Sequence, residues 1–239
     1  MTAPLVIVTG TGTGIGKTVV ARSLVAAWGR RGLSVAGVKP IESGVPLGSA
    51  SPSPALSSSI HAALPATDVA SLGQVSTFHV TRFTSPYLLA PPVSPHLAAR
   101  LEGREIDLTL VRDWVAPIRS AADAVVLELP GGLYTPLSDT TTNASLLLTL
   151  SPTKVLLVAP DRLGVLHDTL STARAARADG IDLSGIILSA PVEADASTGT
   201  NAAELARVLP TLPVLATLPR APLGSLNAHL DRVLNQLGI

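Results

Sequence analysis

Leu5-Val6-Ile7-Val8 is apolar throughout and mostly β-branched, the pattern of a short strand buried on both faces. After a glycine-rich turn the period changes. From Lys17 to about Arg31, Val20, Leu24, Ala27 and Trp28 recur on one helical face, and Gly32 supplies a stop. Ser34–Lys39 reads as the next strand. Ala124–Leu129, Lys154–Ala159, Ser184–Ser189 and Pro213–Leu218 repeat the buried-strand pattern, with helical stretches near 94–102, 107–121, 142–150, 166–179, 200–208 and 223–237. Strands separated by helical patterns predict an α/β fold: a doubly wound, mostly parallel sheet with helices on both faces. No repeat at a fixed period appears, and no composition shift marks a second domain, so residues 1–239 read as one domain. One stretch at about 45–66 breaks the pattern with four prolines, at 46, 52, 54 and 65, and reads as a surface loop.

Composition narrows the function. With 17 basic and 17 acidic residues, the chain has no basic excess for a nucleic-acid backbone or an anionic membrane. At 3% aromatic content, base-stacking platforms are not a theme. The absence of cysteine excludes disulfides, thiolate zinc sites, iron–sulfur clusters and a cysteine nucleophile. Apolar runs such as Val155–Ala159 are too short to span a bilayer, and no signal peptide is visible before Gly10, so a cytoplasmic location is expected.

Gly10-Thr11-Gly12-Thr13-Gly14-Ile15-Gly16-Lys17-Thr18 joins the first strand to the first helix. Glycines there let backbone N–H groups converge on an anion, and the helix N-terminus adds its positive end. In a phosphate-binding loop Lys17 reaches the β/γ-phosphates and Thr18 offers a hydroxyl to Mg²⁺. Gly10 lies six residues before Gly16, so this loop is one residue longer than the common spacing. A dinucleotide fingerprint is excluded, because its third glycine would fall on Ile15 or Lys17. The fold expected is therefore P-loop NTPase-like. Lys39 closes the second strand, where a doubly wound sheet opens its ligand crevice. Glu128 ends a strand at the same rim, and Asp68 is the only aspartate between the loop and Asp107. Each of these also reads alone as a snorkelling lysine, a helix cap or a solvated acid; together with Thr18 the two acids supply oxygens for Mg²⁺. The five histidines show no metal spacing, and no G-x-S-x-G elbow is present.

The phosphate loop, Lys39-Pro40-Ile41-Glu42-Ser43-Gly44, Ser94-Pro95-His96 and the run Gly131–Asp139 occur in the order seen in dethiobiotin synthetases, and the chain resembles that family over nearly its whole length. The resemblance implies a homodimer with a seven-stranded sheet. It implies ATP- and Mg²⁺-dependent ureido-ring closure on the diamine acid 7,8-diaminononanoate with CO₂, in biotin biosynthesis. Nucleotide binding then falls to Gly14, Ile15, Gly16, Lys17, Thr18, Val19, Asp68, Glu128, Gly131, Ser189, Thr217, Leu218 and Pro219. Catalysis falls to Lys39, Lys17 and Thr13, the metal to Thr18, Asp68 and Glu128, and substrate contacts to Ser43 and to Gly164, Val165 and Leu166.

Three places depart from the family pattern. Leu129-Pro130-Gly131-Gly132 replaces Gly-Ala-Gly-Gly and so loses a backbone donor; His167-Asp168 replaces Asn-His at a substrate-binding helix; Ser189-Ala190 replaces a base-reading Asn-Asp. Without a side-chain amide at that last position, weak discrimination among nucleoside triphosphates is expected. The alternative readings are a related amidoligase on another substrate, a nucleotide switch of the partitioning type, and a nucleotide-binding paralogue without this activity. Gly12 stands where a partitioning ATPase carries an early lysine, which argues against the switch.

Overall fold

In a computed structural model, the described residues are 2–46, 67–78 and 85–239, so most of the Pro/Ser stretch at 45–66 lies outside them. Six parallel strands form the main sheet: β1 (Leu5–Gly10), β2 (Val35–Val38), β5 (Ala124–Glu128), β6 (Lys154–Pro160), β7 (Gly185–Ser189) and β8 (Val214–Leu218). Their spatial order is β2-β5-β1-β6-β7-β8, six strands among the described residues where the family resemblance implies seven. A separate parallel pair, β3 (Ile41–Ser43) with β4 (Tyr87–Leu89), carries the chain away from β2. The sequence pattern did not reveal this pair, because each strand has three residues and lies close to proline.

The strand periodicity divides the core. In β1, Leu5 and Ile7 face one side and pack with Val125 and Leu127 of β5. Val6 and Val8 face the other side and pack with Val20, Leu24 and Trp28 of α1 (Lys17–Arg30). Successive side chains of a strand point to opposite faces, so a run apolar at every position needs cover on both. On the first side lie α3 (Pro95–Leu101), α4 (Leu108–Ala121) and α5 (Asn143–Leu150). On the second, α1 is flanked by α2 (Asp68–Val75) and α8 (Asn227–Leu237). α6 (Val165–Ala178) and α7 (Asn201–Val208) cover β6 and β7 with Val165, Ala173 and Leu205.

Two glycines, one in the loop after β1 and one in the loop after β5, let the backbone turn and pack closely there. Gly16 caps α1 with φ of 92°, a left-handed conformation natural to glycine, and a Cβ on it would come within 2.9 Å of Ser189 Oγ. Gly132 lies against the phosphate loop, where a Cβ would sit 3.2 Å from the Gly10 oxygen. No described helix is long and apolar enough to cross a membrane.

Candidate active site

Strand register assembles the charged centre. Val38 of β2 pairs with Leu127 of β5, so Lys39 and Glu128 emerge side by side at the C-terminal rim. Val8 of β1 pairs with Glu128, which brings the acid next to the loop that follows β1. Lys39 Nζ donates to Glu128 Oε1 at 2.8 Å and also contacts Asp68 Oδ2. Thr18 Oγ1, in the first turn of α1, donates to the same Glu128 oxygen at 3.1 Å. The residues expected to hold a metal, Thr18, Asp68 and Glu128, thus meet around Lys39. Glu128 Oε2 is buried and has no protein partner among the described residues.

Glu42 places Asp68. Its two carboxylate oxygens accept from the backbone N–H groups of Asp68 and Val69 at 2.8 and 2.9 Å, and the Thr67 hydroxyl accepts from Ala70 N. Three of the orphan donors that open α2 are thereby satisfied. Sequence reasoning missed both α2 and Glu42: 26 residues separate Glu42 from Asp68, so no local spacing links them.

Burial and charge set the protonation states. Lys17 is buried, and loss of hydration is the main cause that lowers its pKa to about 8; Glu128 and Asp68 oppose the shift and Lys39 adds to it. Burial also works against the Lys39 ammonium, but Glu128 and Asp68 outweigh it and hold its pKa above the ordinary lysine value. Glu128 is pushed upward, chiefly by burial and further by the charge of Asp68. Asp68 is less buried, and the Lys39 charge with hydrogen bonds from Lys39 and Thr18 brings it below the usual carboxylate range despite desolvation. Lys17 Nζ meanwhile donates to the Gly12 carbonyl at 2.6 Å, spanning its own loop. The first turn of α1 has no side-chain cap and no acidic residue, so its N–H groups and positive end are available to an anion.

The remaining expected residues distribute unevenly. Thr13, Gly14 and Val19 are exposed around the loop, while Ile15 is buried. Ser43 ends β3 half-buried, next to the Gly44 N–H bonded to Pro91 O. Gly164 caps α6, with Val165 buried and Leu166 partly so. His167 and Asp168 are both exposed in that first turn. Ser189 is committed to the phosphate loop: its hydroxyl donates to the Ile15 carbonyl at 2.5 Å. Thr217 and Pro219 are exposed at the end of β8, and Leu218 is buried in the core.

A parallel sheet whose central strand feeds a glycine loop and an uncapped helix is the architecture of P-loop nucleotide-binding proteins. The solved structures agree in fold: the cell division ATPase MinD of Pyrococcus furiosus superposes with a TM-score of 0.58 at 20% identity, covering 100% of this chain and 99% of that one. The family described as "AAA domain" matches residues 5–225. Among curated proteins, the ATP-dependent dethiobiotin synthetase BioD of Pseudomonas aeruginosa (strain UCBPP-PA14) is 35% identical over 240 residues, 99% of each chain. The protein of the same description from Ralstonia nicotianae is 38% identical over 216 residues, 90% of this chain and 88% of that one. The chain belongs to the dethiobiotin synthetase family.

Proposed function

We propose that this chain is an ATP-dependent dethiobiotin synthetase that closes a ureido ring on 7,8-diaminononanoate. Two things support the reading: kinship along the whole chain, and a buried lysine held between two acids beside the phosphate loop. One substrate amine adds to CO₂ and loses a proton, giving a carbamate. A carbamate oxygen attacks the γ-phosphorus and ADP leaves, forming a mixed anhydride. The second amine then attacks the carbonyl carbon, the C–O bond to phosphate breaks, and the ring closes with loss of a proton.

Lys39 carries the reading. Its ammonium is kept charged by Glu128 and Asp68 at the rim where a carbamate oxygen and the γ-phosphoryl group must meet. A fixed cation there offsets the charge that develops as the phosphoryl group moves between oxygens. Lys17 and the N–H groups of Gly14–Thr18 hold the phosphate chain. Ser43 and the α6 N-terminus at Gly164–Leu166 are the substrate positions, the latter across a homodimer interface. Asp168 is exposed in that first turn.

The donors present fit Mg²⁺. Thr18 Oγ1, Asp68 and Glu128 are oxygen ligands, and Glu128 Oε2 is buried with no protein partner. No group of three or more acids and histidines suited to a metal exists among the described residues, which accords with an ion held partly by phosphate oxygens and water. Thr18, Asp68 and Glu128 would hold Mg²⁺ there, and it would supply Lewis-acid charge to the phosphate chain.

The test is turnover by the purified protein with 7,8-diaminononanoate, isotopic bicarbonate and MgATP. Labelled dethiobiotin with equal ADP is expected. ADP release that does not depend on the diamine, with no labelled product, sinks the proposal.

A further inference from the structure

The motif Thr140-Thr141-Thr142-Asn143 has no part in the site described above, yet it ends in one of the most completely buried polar residues of the chain. Asn143 opens α5, and its Nδ2 donates to two backbone carbonyls, Pro130 O at 2.5 Å and Gly132 O at 2.8 Å. Its Oδ1 is buried without a partner among the described residues. A buried amide oxygen left unpaired is costly, so what keeps an asparagine here is its pair of donor bonds.

Those bonds orient the loop after β5. A trans peptide unit is planar, with its C=O and N–H pointing in opposite directions. The Gly132–Leu133 unit shows the consequence: its carbonyl is held by Asn143 while its N–H donates to Gly10 O in the phosphate loop, at 2.9 Å. The Pro130–Gly131 unit has its carbonyl on the same amide nitrogen, which fixes the plane of that peptide and the line of the Gly131 N–H. Pro130 has no N–H, Gly132 N donates to Thr135 Oγ1 at 2.8 Å, and Leu133 N is used by Gly10. Gly131 therefore holds the only N–H in 130–133 without a partner among the described residues. It lies three residues beyond Glu128 and next to Gly132, which abuts the phosphate loop at Gly10–Gly12.

We propose that Asn143 is a positioning residue: by holding the Pro130 and Gly132 carbonyls, it aims the Gly131 N–H at the terminal phosphate of the nucleotide. This rests on the phosphate-loop reading and assigns the part of that site that tells a triphosphate from a diphosphate. The backbone donor missing at Pro130 sharpens the need, because the loop has one N–H left to offer and its direction must be fixed.

The experiment compares Mg²⁺-dependent binding of ADP and of a non-hydrolysable ATP analogue by calorimetry, in the unaltered chain, Asn143→Leu and Asn143→Asp. Asn143→Asp keeps the side-chain volume, Asn143→Leu keeps the branching at Cγ, and both remove the amide donor. Affinity for the analogue should fall about tenfold, with ADP held within about twofold, and kcat should fall while KM for the diamine is kept. Equal loss for both nucleotides, or no loss for either, overturns the proposal and leaves Asn143 a structural anchor. The unaltered chain gives an independent readout that needs no variant to fold: the Gly131 amide resonance should shift with the analogue and not with ADP. A Gly131 amide indifferent to the terminal phosphate overturns the proposal as well. If the unaltered chain binds neither nucleotide, the phosphate-loop reading fails instead.

Discussion

The two halves of the sheet's C-terminal rim are built from different materials. At the β2-β5-β1 end, four titratable side chains, Lys17, Lys39, Asp68 and Glu128, crowd one centre and shift each other's protonation. At the β6-β7-β8 end, the buried acid Asp161 serves structure instead. It accepts from Asn201 Nδ2 at 2.7 Å and from Gly199 N at 2.9 Å, which ties the segment after β7 to the end of β6. Apart from Ser189, the residues expected there are Gly164, Val165, Leu166 and the end of β8, which offer mainly backbone. Charge transfer needs fixed charges in a dry setting, whereas holding a carboxylate or a base can be left to N–H groups and shape. On the proposed function, the first half would set the reaction and the second would set selectivity.

Substitutions should separate the halves. The largest effect is expected at Lys39→Met, which leaves Asp68 and Glu128 facing each other without the ammonium. kcat should fall by about 10³, with a much smaller change in ATP affinity, as for loss of a group acting in the transition state. Calorimetry showing affinity lost in step with kcat would make Lys39 a phosphate anchor. Lys17→Ala should cost about 10² or more in kcat/KM, chiefly through nucleotide binding, with little change in melting temperature because alanine suits the helix. Unchanged activity would remove the loop from the mechanism.

Asp68→Asn and Glu128→Gln should each raise the Mg²⁺ concentration for half-maximal rate by roughly tenfold, since the hard cation prefers a charged oxygen. A Mg²⁺ titration that overlays the unaltered one would leave these acids only as partners of Lys39. On the other half, Ser189 is engaged with Ile15 O and Ala190 carries no polar group, so discrimination among ATP, CTP, GTP and UTP should stay within about tenfold, or about 1.4 kcal/mol. A thousandfold preference for ATP in kcat/KM would show that some other group on that rim reads the base.

The pH dependence sharpens the contrast further. Lys17 in the free protein loses its proton near pH 8, and an anionic phosphate beside it favours the charged form. Nucleotide binding should therefore be insensitive to pH below about 7 and take up a proton above about 8, weakening by up to about tenfold per unit. Calorimetry in buffers of different ionisation enthalpy measures the uptake, and Lys17→Ala should abolish it. The smallest effect on chemistry is expected from Asp161→Ala. It should cost about 1–3 kcal/mol of stability by stranding Asn201 and Gly199 N, while the pH profile and Mg²⁺ requirement stay as they are. A changed Mg²⁺ requirement would couple the two halves.

Local patterns carried a large part of this. A run apolar at every position, such as Leu5–Val8, needs cover on both faces, and the helical patterns between such runs supply it, so the α/β class is legible in the chain alone. The loop from Gly10 to Thr18 is legible for the same reason, because the backbone geometry of an anion cradle demands glycines at short spacing. What sequence could not show are contacts closed over distance. Lys39, Asp68 and Glu128 are recognisable as candidates, but that the lysine bridges the acids depends on β2 and β5 being neighbours in register, although 85 residues lie between them. Glu42 capping α2, Ser189 bonding to Ile15, and Asn143 holding the peptide that ends in Gly131 share that origin. Hydrogen bonds have no period along a chain. Their partners are chosen by which strand ends the sheet order brings together, and that only the tertiary structure decides.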